Sequence, residues 1–101
     1  METLDDIHKY LEEPFLKGLL RILILGTLKR GELYGYQIYK YVKNIIKSKI
    51  SLSTFYTILK ELEEAKFIIK IGSKYILTEK GLNALRLFLS KYNDLSSFLS
   101  I

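Results

Sequence analysis

Ser51-Leu52-Ser53-Thr54-Phe55-Tyr56-Thr57-Ile58-Leu59-Lys60-Glu61-Leu62 reads as a helix with a capped start and two unlike faces. Ser51 is the expected cap, because a short hydroxyl accepts from a first-turn amide that has no partner within the helix. Leu52, Phe55, Leu59 and Leu62 recur at spacings of three and four, which predicts a buried stripe on a helix that runs to about Ala65. Ser53, Thr54, Thr57, Lys60, Glu61 and Glu64 fall outside that stripe. Small hydroxyl side chains let a helix approach a partner closely, and its N-terminus attracts phosphate. Carboxylates crowd the second half, so only the first half suits a polyanion.

Working upstream, a short bridge from Ser48 to Ile50 leads back to a second helix, predicted from about Gly35 to Ile46. Ile38, Val42 and Ile45 have core spacing there, and Tyr36, Tyr39, Lys40, Lys43 and Lys47 lie opposite. Gly31 and Leu33-Tyr34-Gly35 read as the turn into it. Downstream, Phe67 to Ile71 and Lys74 to Leu77 are β-rich runs joined by Gly72-Ser73. Glycine at the first of two loop positions suits a type II′ hairpin. Thr78 then caps a last helix that is predicted to reach about Leu99. Two helices followed by a short hairpin predict a mainly α chain with a small β-hairpin, a winged helix-turn-helix plus a C-terminal helix.

The outermost segments suggest how the chain assembles. Pro14 suits the first turn of a helix to about Lys29 whose Phe15, Leu16, Leu19, Leu20, Ile22, Leu23, Ile24 and Leu25 cover nearly its whole circumference. Such a helix needs burial on all sides, here by its own domain and by a second copy. In the last helix Leu85, Phe88, Tyr92, Leu95 and Leu99 repeat at alternating spacings of three and four, as in a coiled-coil seam. Leu16, Leu20 and Leu23 join these as expected dimerisation residues. Thr3 can cap a short first helix, with Asp6 three residues on and Leu4, Ile7 and Leu11 on one face, ending at Glu13 before the proline. The expected divisions are a short acidic N-terminal helix over 1–13, a DNA-binding winged helix over 14–78 and a dimerisation helix over 79–101.

Composition narrows the function. The chain has 101 residues, is 49% hydrophobic and carries a net charge of +5. Residues 1–14 hold five acids against one lysine, so the remaining 87 residues carry +9, a footprint for polyanions. Without cysteine there is no disulfide or thiolate metal site, and a single histidine, His8, cannot form a His-pair zinc site. No metal or other cofactor is expected, and a cytoplasmic location fits the absence of cysteine. The longest apolar run, Leu19 to Leu28, falls well short of the roughly 20 residues of a membrane helix, and the N-terminus is acidic. No membrane partner is expected. Enzyme chemistry is not expected either, since no serine or threonine has a visible histidine base and Glu12-Glu13 and Glu63-Glu64 point in different directions.

Tyr34-Gly35-Tyr36, Ser51-Leu52-Ser53-Thr54-Phe55-Tyr56-Thr57 and Leu77-Thr78-Glu79-Lys80-Gly81, in this order, resemble the PadR family of transcriptional regulators, in particular its small members with a single C-terminal helix. The resemblance covers about residues 15 to 99. Tyr34 replaces a His in the first motif, and in the second Ser, Thr and Tyr are kept while Gly and Pro are not. The third motif is shared by several winged-helix regulator families.

The resemblance implies a homodimeric, sequence-specific regulator of duplex DNA, with repression the sign that suits a small chain covering a promoter. Its expected DNA contacts are Tyr36, Ser51, Ser53, Thr54, Tyr56, Thr57 and Lys60, with Lys70, Ser73 and Lys74 of the short wing limited to phosphate. A small apolar or aromatic effector between subunits, near Phe15, Phe88 and Tyr92, is a further implied partner. The competing reading is a winged-helix module that joins other proteins without specific DNA binding, its polar helix face merely solvated.

Overall fold

Proline lacks an amide hydrogen and crowds the carbonyl four residues back, yet the chain passes through Pro14 without leaving the helical path. The computed structural model describes residues 3–46 and 49–100; Lys47 and Ser48 of the reading above lie outside them. Thr3 accepts from the Asp6 amide at 3.1 Å and opens α1 (Leu4–Ile7). A π-helical turn over His8–Glu12 follows, in which the Glu13 amide reaches back five residues to His8, and α2 (Glu13–Leu28) continues from it. The first helix therefore does not end at Glu13 as expected, because the wider turn absorbs the proline.

The remaining elements are β1 (Leu33–Tyr34), α3 (Gly35–Ile45), α4 (Leu52–Glu64), β2 (Ile68–Ile71), β3 (Lys74–Leu77), α5 (Glu79–Lys91) and α6 (Leu95–Leu99). One core gathers Leu20, Ile24 and Leu28 of α2, Ile38 and Val42 of α3, and Phe55, Ile58, Leu59 and Leu62 of α4. Ile68, Tyr75 and Leu85 close it from the sheet and α5. The wing expected from the sequence is present. Gly72 has φ +63° and is the residue of the Gly72-Ser73 pair in the left-handed region, and Ile71 pairs with Lys74. A third strand was not anticipated: Leu33 and Tyr34 pair antiparallel with Tyr75 and Lys74, giving the order β1-β3-β2.

Three further expectations are corrected. Ile45 is exposed and Ile46 is buried, because α3 ends at Ile45 and the extended backbone at Ile46 (φ −85°, ψ 110°) directs its side chain inward. Leu52 is 45% exposed while Ile58 completes the α4 stripe, since the first turn of α4 projects beyond the core. The last helix is not continuous to Leu99: α5 stops at Lys91, Tyr92 takes φ −116° and ψ 18°, and α6 starts at Leu95. The break falls at Asn93-Asp94, residues of low helix propensity, and the Leu95 amide there bonds back to the Tyr92 carbonyl at 3.1 Å.

Thr78 joins the wing to α5. Its hydroxyl donates to the Lys66 and Phe67 carbonyls at 2.7 and 3.0 Å and accepts from the Gly81 amide at 3.0 Å. A Cβ on Gly81 would lie 2.1 Å from the Phe67 carbonyl oxygen, so only glycine lets α5 pack this closely on the segment that joins α4 to β2. Lys80 adds a bond from its ammonium to the Ala65 carbonyl at 2.8 Å. The Leu77-Thr78-Glu79-Lys80-Gly81 motif is thus a junction that holds wing, α4 and α5 together.

Candidate nucleic-acid interface

The buried stripe of α4 fixes which side chains face outward. Ser51, Ser53, Thr54, Tyr56, Thr57 and Lys60 are all exposed, Ser51 as the cap, Ser53 to Thr57 in the first half of the helix and Lys60 just beyond it. Ser51 caps as expected, its hydroxyl accepting from the Thr54 amide at 3.0 Å and donating to the Thr54 hydroxyl at 2.9 Å. Thr54 keeps its own hydroxyl hydrogen for an outside acceptor. Thr57 donates to the Ser53 carbonyl at 2.9 Å, a bond within the helix that leaves its lone pairs outward. Glu61 is not simply a solvated carboxylate: it pairs with Arg21 of α2, whose guanidinium also donates to the Lys17 carbonyl at 2.7 Å. That pairing offsets one of the negative charges in the second half of α4.

Glycine at 35 explains how α3 and α4 approach. A Cβ there would meet the Tyr56 ring at 3.0 Å and its hydroxyl at 3.1 Å. Tyr56 therefore lies over the first turn of α3, half-exposed, with Tyr36 also exposed on that turn. Tyr36 stacks on Tyr39 at 6.0 Å, Tyr39 meets the Phe55 edge at 5.3 Å, and Phe55 meets Tyr56 at 5.2 Å. This aromatic chain runs from the start of α3 to α4. Lys40 lies over the Tyr36 ring at 5.5 Å and Lys43 over Tyr39 at 5.7 Å, so the cations border the tyrosines. Tyr39, placed on the outer face from the sequence, is instead buried, because its ring packs on Phe55 and its hydroxyl donates to the Ile50 carbonyl at 2.8 Å.

The wing contributes less than its residue types suggest. Ser73 is exposed at the tip and Lys70 is exposed with its ammonium 5.6 Å from the Tyr75 ring. Lys74 is half-buried, 5.1 Å from the Tyr34 ring and 3.6 Å from the Glu32 carboxylate. Burial pushes the Tyr75 phenol above its ordinary pKa, with the charge of Glu63 and then Tyr56 adding to the effect.

The expected dimerisation residues divide into two groups. Leu20 and Leu85 are 2% and 4% exposed, so the chain's own core already covers them. Leu16 and Leu23 are partly covered, while Phe88, Tyr92, Leu95 and Leu99 are open to solvent. Leu87, Leu89 and Phe98, which the three-four spacing passed over, are also exposed. Phe15, Phe88 and Tyr92 do meet around one apolar cleft of about 610 Å³ between α2 and α5, with Leu19, Ile22 and Leu89. No helix among the described residues is long and apolar enough to cross a membrane.

The profile of the PadR-like family of transcriptional regulators matches residues 24–87, from the last third of α2 into the second half of α5. The chain belongs to that family. The matched span includes α3, α4 and the wing with every residue of the candidate interface, so this PadR-like chain is a transcriptional regulator whose family implies DNA binding. Among solved structures it is similar to smu.1704 from Streptococcus mutans UA159, with 28% identity and a TM-score of 0.67 over 79% of this chain and 81% of that one. A transcriptional regulator from Clostridium thermocellum, Cth-833, shares the fold at 20% identity and a TM-score of 0.71, over 85% of this chain and 94% of that one. TA0346 from Thermoplasma acidophilum does so at 22% and 0.62, over 86% and 97%. No curated protein matches it at a significant level.

Proposed function

We propose that this PadR-like protein is a cytoplasmic repressor that binds a pseudo-palindromic duplex as a homodimer, with the first half of α4 in the major groove. The observation that carries this reading is the two-sidedness of α4. Phe55, Ile58, Leu59 and Leu62 are buried, which leaves Ser53, Thr54, Thr57 and Lys60 outward on the same helix. Short hydroxyls permit close approach, Thr54 and Lys60 offer donors to base edges, and Tyr36 and Tyr56 offer phenols to phosphates on either side. Ser51, Lys70, Ser73 and Lys74 are further phosphate contacts, Lys74 the weakest because Glu32 already holds it. Repression follows from steric cover: a small dimer acts most simply by occluding a promoter. The cleft beside Phe15, Phe88 and Tyr92 is where a small apolar effector would bind.

The test is fluorescence anisotropy with the duplex upstream of its own gene and with an unrelated duplex, each across a salt series. The expected preference is about 10³-fold or more, with a log-log salt slope that counts the phosphates engaged. Changing Thr54 and Lys60 together to Ala should abolish the preference while circular dichroism is unchanged. Equal, weak binding to both duplexes that vanishes at physiological salt would overturn the reading and favour a protein partner. Added protein should also lower transcription from its own promoter in vitro, and a rise would reverse the sign.

A further inference from the structure

The hydroxyl of Tyr39, a residue otherwise packed in the core, is a polar group of α3 whose position core packing alone does not explain. A phenylalanine would fill the same space, and a buried hydroxyl is tolerated only with a partner. Its partner is the Ile50 carbonyl at 2.8 Å, one residue before Ser51, the cap of α4. The same ring meets Phe55 on the buried side of α4 and stacks on the exposed Tyr36. One side chain therefore touches the segment leading into α4, the body of α4 and a flanking tyrosine of α3.

We infer that Tyr39 is a positioning residue of the interface: its hydroxyl fixes the first turn of α4 relative to α3, and with it the direction in which Ser53 and Thr54 face. This rests on α4 being the DNA-reading helix. Without the bond, the Ile50 carbonyl turns to water and the Ser51 cap loses its anchor, while the apolar stripe from Phe55 onward stays packed. The effect is local to the turn that carries the hydroxyls. Tyr39 itself is too buried to touch a phosphate.

The experiment is Tyr39→Phe, examined first without DNA by amide hydrogen exchange. Exchange at the Thr54 amide, which the Ser51 hydroxyl accepts, is expected to accelerate about tenfold, with Leu59 and Leu62 unchanged. With DNA, the ratio of specific to non-specific affinity is expected to fall about tenfold at an unchanged salt slope, since no phosphate contact is lost. Uniform acceleration along α4, no acceleration at Thr54, or a chain that no longer folds would each overturn the inference, leaving the hydroxyl a part of the core. A wild-type protein without duplex preference would remove the interface reading, and the exchange measurement would still decide what Tyr39 holds.

Discussion

Tyr75 shows how much one residue of the sheet is asked to do. It pairs with Leu33 on one side and Lys70 on the other, at the centre of the three strands, and its side chain is buried. Ionising its phenol would strip water from a phenolate and set it near Glu63, so its pKa is raised above the ordinary value of 10.0. In the unfolded chain the group keeps that ordinary value and releases its proton first as pH rises. Stability from this group is therefore complete below about pH 10 and is lost as the pH climbs through the higher folded value. The thermal midpoint of the wild type should fall more steeply than that of Tyr75→Phe between about pH 9 and 11. Parallel curves would show that the phenol ionises equally well folded and unfolded.

Among the elements, the end of α4 carries the clearest local strain. Lys66 has φ +67°, the one non-glycine residue among those described that adopts a left-handed conformation. It closes a Schellman turn in which the Phe67 amide reaches the Leu62 carbonyl at 3.0 Å and the Lys66 amide reaches Glu63 at 2.9 Å. A side chain costs about 1–2 kcal/mol in that conformation, and glycine's greater unfolded freedom returns part of it. Lys66→Gly should therefore stabilise the protein by about 0.5–1 kcal/mol, read as a higher urea midpoint with an unchanged slope. Nothing in the spacing of the sequence announced that turn. Elements with a strong local signal were legible: α4 from its Ser51 cap and stripe, the wing from Gly72, and the start of α5 from Thr78. What escaped was set by partners distant in sequence. β1 is two residues long and exists only because Tyr75 and Lys74 offer an edge. The exchange of Leu52 for Ile58 and of Ile45 for Ile46 depends on where the core ends. At the candidate interface the exposed hydroxyls were legible, whereas the burial of Tyr39 and the pairing of Glu61 with Arg21 needed the packing of three helices.

At the scale of the molecule, two features remain unbalanced: a net charge concentrated outside the N-terminal segment, and apolar surface the single chain does not cover. Phe15, Leu87, Phe88, Leu89, Tyr92, Leu95, Phe98 and Leu99 are all exposed, and Phe15, Phe88, Leu89, Tyr92 and Leu95 among them line one cleft between α2 and the C-terminal helices. A patch of this kind on a small protein calls for a partner, and in the proposed homodimer a second copy would supply the same patch by two-fold symmetry. Leu85 cannot test this, since its loss would damage the core before the dimer. Phe88 can, because it is 43% exposed, lies outside the buried core, and has its ring 4.9 Å from the likewise exposed Tyr92. Phe88→Asp is expected to sediment as a monomer with wild-type circular dichroism. Its affinity for a two-half-site duplex should fall by on the order of 10²-fold, because the second α4 no longer binds as part of the same molecule. Affinity for a single half-site should be unchanged. A variant that stays dimeric would move the contact to another uncovered apolar surface, the exposed Leu4, Ile7 and Leu11 of the N-terminal helix, where Leu11→Asp is the substitution that should then separate the copies.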